Sequence, residues 1–186
     1  GGAAAGAAGS VATAGAAGAS DVGKCTPPAD VFSPIVKLSK TGCVDPANPT
    51  KPSAEAVSYE VNSPLWSDAA DKTRAFVLPP GGKIHVRDCK LLAADCPNGP
   101  AADGRWDFPV GSVMIKTFSF DSKLVETRLF MRVDANDWVG YSYQWDEAQT
   151  EATIVSPDGA QSMFNTGTRS VSWHFPSQKD CLNCHN

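Results

Sequence analysis

From Tyr59 onward, apolar and polar residues alternate in short runs, and Pro, Gly and Asp break the runs at close intervals. A period of two puts successive side chains on opposite faces of a strand, so the pattern selects half-buried β-strands over helices. Arg74–Leu78 and Lys83–Val86 read as short strands split by the turn Pro79-Pro80-Gly81-Gly82. Ser112–Phe120 alternates well, and Asp121-Ser122-Lys123 can turn the chain into a strand over Leu124–Val133. There Val125, Thr127, Leu129 and Met131 are expected on one face, and Glu126, Arg128, Phe130 and Arg132 on the other. Trp138–Trp145 puts Val139, Tyr141, Tyr143 and Trp145 together; Glu151–Val155, then the turn Pro157-Asp158-Gly159, then Ser170–Phe175 complete the series. No 3.6-residue apolar stripe is sustained before Ser177, and no internal repeat is found. The expected fold is mainly β: an antiparallel β-sandwich or jelly-roll-like barrel over residues 23–176.

The 186 residues suffice for one domain with a core plus a tail, not for two large domains. Residues 1–22 are nearly all Gly, Ala, Ser and Thr, which cannot bury enough surface to offset their ordering entropy, and are expected as a disordered tether. Residues 25–56 are rich in Pro and Ala around one apolar stretch, Val31–Leu38, and are expected to be irregular with a single helical turn. Six cysteines allow many pairings; proximity alone suggests Cys25 with Cys43 and Cys89 with Cys96. Bridges of those loop lengths stabilise by roughly 3 and about 2.5 kcal/mol, and they persist in the periplasm or outside the cell. Net charge is −4 with no Lys/Arg cluster, which argues against nucleic acid as a partner. No run of about 18 apolar residues suggests a span, although the tether is of the kind that follows a lipid anchor or other membrane attachment upstream of residue 1. Gly1-Gly2-Ala3 has no initiator Met and no signal-peptide regions, and the expectation is a fragment cut at both ends.

Cys181-Leu182-Asn183-Cys184-His185 is the sharpest chemical signal. Covalent haem attachment needs two thiols that add to neighbouring vinyl groups, and two intervening residues put both sulfurs on one side of a helical turn. The following His then supplies a nitrogen to the iron. Cys181, Cys184 and His185 are therefore the expected haem c site, with His185 the proximal metal ligand. Three plainer readings compete. A redox dithiol needs βαβ surroundings, a zinc site needs a second C-x-x-C, and a disulfide at this spacing is strained. A sixth iron ligand would come from upstream, where Met114, Met131, Met163, His85 and His174 lie. Met131 is expected in the core and His174 at a sheet edge or in the core. Residues 177–186 read as the start of a helical cytochrome c domain.

Tyr59–Asp68, with Leu78-Pro79-Pro80-Gly81, resembles a recurring opening in bacterial dihaem c-type cytochromes often encoded beside a parallel β-helix repeat protein. The resemblance continues at Trp106–Gly111, Ile115–Phe118, Glu126–Leu129, Tyr143-Gln144-Trp145, Gln149–Ala152 and Phe175-Pro176-Ser177. It implies electron carriers, rather than catalysts, that work with a redox partner protein. This chain departs from the pattern in having one C-x-x-C-H and in the Cys89–Cys96 loop. Among the polar residues of these motifs, Asn62, Ser67, Asp68, Glu126 and Arg128 are expected to pin turns and sheet register. The five tryptophans are expected to pack. Two alternatives stay open: a secreted β module that binds glycan or protein, and the substrate-contacting part of a haem oxidoreductase.

Overall fold

The structure, a computed structural model, describes residues 23–184, with Cys184 described by its backbone alone. The expected tether and His185 lie outside these residues. The strands in chain order are β1 (Val44–Asp45), β2 (Asn48–Pro52), β3 (Val57–Ser58), β4 (Asp71–Val77), β5 (His85–Val86) and β6 (Trp106–Asp107). They continue with β7 (Val113–Phe120), β8 (Lys123–Arg132), β9 (Trp138–Trp145), β10 (Ala152–Ile154), β11 (Ala160–Asn165) and β12 (Ser170–Phe175). One helix, α1 (Gln178–Cys184), follows. The main sheet has six strands in the order β10-β9-β8-β7-β4-β3, every pairing antiparallel. Three two-stranded pairs, β1-β2, β5-β6 and β11-β12, flank it.

The mainly β, antiparallel expectation holds, and the long alternating runs are strands. The strand expected over Lys83–Val86 shrinks to β5 and pairs with β6 rather than with its neighbour β4. Both edges of β4 are taken, by β3 and β7, so the Pro-Gly turn delivers the chain out of the sheet. β11 escapes the sequence pattern because only Phe164 of its six residues is buried.

The sheet has two different faces. Ala75, Val77, Val113, Ile115, Leu129, Met131, Tyr141, Tyr143 and Trp145 form one apolar cluster, closed by Leu38, Val44 and the Cys25–Cys43 disulfide. The Tyr141 and Tyr143 hydroxyls donate to the carbonyls of Val31 and Ile35 at 2.9 and 2.8 Å. Residues 25–56 thus form a lid, with one short helical turn at Leu38–Lys40 as expected. On the other face Phe118, Phe120 and Val125 pack with Phe164, Trp173 and Phe175 from the β11-β12 hairpin.

Val125 does not share a face with Thr127, Leu129 and Met131 as strict alternation suggests. Opposite Phe118 and Ser119, β8 spends three residues, Leu124 to Glu126, so Val125 is bulged and joins the second face beside Glu126. The sandwich expectation is met only in its layering. The lid carries Pro27, Pro28, Pro34, Pro46, Pro49 and Pro52, which remove ladder donors and deny it long strands. The second face is covered by a hairpin and α1, not by a second large sheet. After Ser177, α1 is the only helix among the described residues, seven residues long. No described helix is long and apolar enough to cross a membrane. Both expected disulfides, Cys25–Cys43 and Cys89–Cys96, are formed.

Candidate functional site

The helix that carries the cysteine motif starts on a reciprocal cap. The Asp180 N–H donates to Ser177 Oγ at 3.1 Å, while the Ser177 N–H and O–H donate to Asp180 Oδ2 at 3.0 and 2.7 Å. Those bonds hold the Asp180 carboxyl below its usual range. The Gln178 N–H donates to the Pro157 carbonyl at 2.9 Å, tying the first turn to the loop after β10. Cys181 and Cys184 are three residues apart on this helix, the spacing of one face.

α1 lies on β9, and the contact is intimate at one point. A Cβ built on Gly140 would fall 2.6 Å from Cys181 Sγ and 2.8 Å from its Cβ. The Gly140 backbone is not in the left-handed region, so glycine is required there for space and not for conformation. Cys181 is free and half-buried while Cys25, Cys43, Cys89 and Cys96 are all bonded. Burial pushes its thiol up, against the pull of Arg128.

Cys181 opens onto a groove with space of about 200 Å³ on the second sheet face. Its walls include Met114, Lys116, Arg128 and Phe130, with Tyr59 and Ser67 at the far side and Asp180 on the helix. Beneath it, Glu126 is fully buried. Its carboxylate accepts from Arg128 Nε and Nη2, both at 2.8 Å, and from Trp173 Nε1 at 2.9 Å. The Arg128 guanidinium lies 4.6 Å from the centre of the Phe118 ring, and Lys116 Nζ lies 5.0 Å from the same ring. Arg74 is buried on the same face and reaches Glu60 at 3.5 Å. Burial first, then Arg128, Arg74 and Lys72, push the Lys116 amine down to about 8.

The sequence-predicted residues divide accordingly. Cys181 is in the groove; the side chain of Cys184 and all of His185 lie outside the described residues. Of the upstream methionines and histidines, Met114 alone lines the groove with Cys181. Met131 is in the opposite core, as expected. Met163 is 67% exposed, His174 is exposed, and His85 is exposed and bonded to Asp95 at 3.0 Å. Ser67 and Asp68 do pin a turn, with the Ala70 N–H donating to the Ser67 carbonyl and Asp68 at positive φ. Glu126 and Arg128 pair within one strand, and Trp173 of β12 donates to the same carboxylate. Trp145 and Trp173 are buried, Trp138 stacks on Phe130 with centroids 5.0 Å apart, and Trp66 and Trp106 are exposed. Sequence reasoning missed Gly140 and Lys116. A glycine inside an apolar strand was the available signal for the first.

Among the described residues, no three His, Cys, Asp or Glu side chains gather as a metal site. No protein-family model, curated protein or solved structure matches this chain.

Proposed function

We propose that the chain is the β-rich part of a secreted c-type cytochrome that transfers electrons to or from a redox partner protein. Haem c is attached through Cys181 and Cys184, and His185 holds the iron. The observation that carries this reading is the state of Cys181. Cys25, Cys43, Cys89 and Cys96 all form disulfides, whereas Cys181 is a free thiol, on a capped helix, beside a groove, with a glycine opposite to admit it. Those features suit a thiol committed to a cofactor, and among the described side chains Cys181 has no disulfide partner.

Haem, when bound, supplies the one-electron couple. The chain's own residues do the rest: the Ser177–Asp180 cap starts the helix, the Gly140 contact seats Cys181 on β9, and the sheet face shields one side of the site. The paired disulfides fit an oxidising, extracytoplasmic compartment. Within it we place the protein in the periplasm or outside the cell, with residues 1–22 leading back to a lipid anchor.

The test is expression with c-type haem maturation machinery, followed by mass spectrometry of the Cys181–His185 peptide. The expected peptide carries haem mass that survives acid-acetone extraction and is lost in Cys181→Ser/Cys184→Ser. An unmodified peptide from a host that matures a control cytochrome would overturn the reading.

A second reading, a glycan-binding β module, draws on Trp66 and Trp106, which are 74% and 57% exposed. A glycan array on which Trp66→Ala and Trp106→Ala abolish binding favours it; a blank array removes it. The oxidoreductase reading gains nothing from Glu126, because a carboxylate with no exposed surface, held by Arg128 and Trp173, has no path to a substrate.

A further inference from the structure

The groove beside Cys181 is unusual in its charge. Face two of β4, β7 and β8 carries Lys72, Arg74, Lys116 and Arg128 in adjacent register positions, since Lys116 stands opposite both Arg74 and Arg128. The acids nearest Lys116 and Arg128 are already engaged, and exposed Asp71 stands beside Lys72. Glu126 is taken by Arg128 and Trp173, Glu60 is an exposed partner of Arg74, and Asp180 is bonded to Ser177 as the helix cap. Lys116 Nζ has no carboxylate within ion-pair distance among the described residues and rests only against the Phe118 ring. Arg128 meets Glu126 through Nε and Nη2, which leaves Nη1 without a hydrogen bond among the described residues. Two cationic donors therefore flank one partly enclosed space whose other wall, Met114 and Phe130, is apolar.

Half-burying an ammonium with no counter-ion is costly, and a bound anion relieves that cost. A carboxylate suits the pair in particular. A guanidinium edge and an ammonium offer several N–H donors to two oxygens, and a thioether and a phenyl ring accept a hydrocarbon body. We propose that this groove is a binding site for a carboxylate on an apolar body, gripped by Lys116 and Arg128 with the hydrocarbon against Met114 and Phe130. The carboxylate has two sources. One is a propionate of the porphyrin held at Cys181, which rests on the cytochrome reading above; the other is a free apolar acid, which does not.

The chain has three methionines, so methyl NMR reads the site directly. The full chain, expressed without haem, is titrated with hexanoate and with hexanamide, its neutral counterpart. The Met114 methyl should move with hexanoate while Met131 and Met163 stay, and hexanamide should bind at least tenfold more weakly. Lys116→Met should weaken hexanoate at least fivefold, and Lys116→Arg should restore most of it. Equal binding of acid and amide, or an unmoved Met114 signal, overturns the site whether or not haem attaches. In the matured holoprotein, loss of hexanoate binding assigns the site to the haem propionate, and retained binding assigns it to a free acid. A chain that never takes haem but binds hexanoate through Lys116 keeps the groove and discards the cytochrome.

Discussion

The two faces of the six-stranded sheet are built from the same strands and do opposite things. Face one is mainly apolar and sealed by a disulfide-stapled lid, and the Thr117 and Thr127 hydroxyls on its strands are paired: Trp145 Nε1 donates to Thr127, whose hydroxyl is 2.8 Å from that of Thr117. Face two mixes aromatic packing with a row of cations (Lys72, Arg74, Lys116 and Arg128), one buried carboxylate and a groove, and it receives the helix with the cysteine motif. Alternation makes the division possible, because each strand can commit every second residue to stability and leave the others to chemistry. The bulge at Val125 moves an apolar residue across to face two, where it helps hold the hairpin that donates Trp173 to Glu126.

If face one carries stability, truncation there should cost most. Leu129→Ala, at a fully buried position, should lose about 4 kcal/mol in urea unfolding, against about 1 kcal/mol for the half-buried Met114→Ala on face two. Equal losses would erase the distinction. Glu126→Ala should cost about 3 kcal/mol by leaving Arg128 and Trp173 without their acceptor, with partial exposure of Arg128 keeping the loss at the low end for a broken buried pair. Glu126→Gln, which still accepts from Trp173, should cost visibly less; if Gln were as harmful as Ala, the charge and not the acceptor would be the anchor.

Smaller effects report on the helix and the groove. Gly140→Ala should cost about 1–2 kcal/mol by overpacking and should raise the labelling rate of Cys181 in a Cys184→Ser background, as α1 is lifted from β9. Unchanged labelling would mean that the helix is not seated there. Lys116 reports on the groove through pH, and the sign of its effect is definite. The folded amine titrates at about 8, the unfolded one near ~10.4. Between those values the unfolded chain binds more protons, so this residue's contribution to stability rises with pH across that window. Below it both states are charged and the folded state carries the burial cost. Lys116→Met should therefore be more stable than the parent near neutral pH, with the advantage shrinking as pH climbs toward 10. A pH-independent difference would show that Lys116 is well solvated.

Much of the β architecture was legible because burial on one face imposes a period of two, and that period is written residue by residue in β7, β8 and β9. Trp138–Trp145 and Ser170–Phe175 coincide with the strands read from the pattern. β11 was not legible, since one buried phenylalanine leaves no periodic trace. The bulge was not legible either, because an extra residue in a strand is defined by its partner and not by its own side chains. In the site, the spacing of Cys181 and Cys184 was readable as a helical turn, and the backbone there is helical.

The periods, the turns and the motif are written in the sequence and the cysteine pairs are suggested by it, because each depends on residues close together in the chain. Packing of the whole chain set that α1 lies on Gly140, that Trp173 reaches Glu126 across 47 positions, and that Lys116 faces a groove with no ion-pair partner among the described residues. Those facts concern which surfaces meet. That is set by burying the whole chain at once, and no local pattern encodes it.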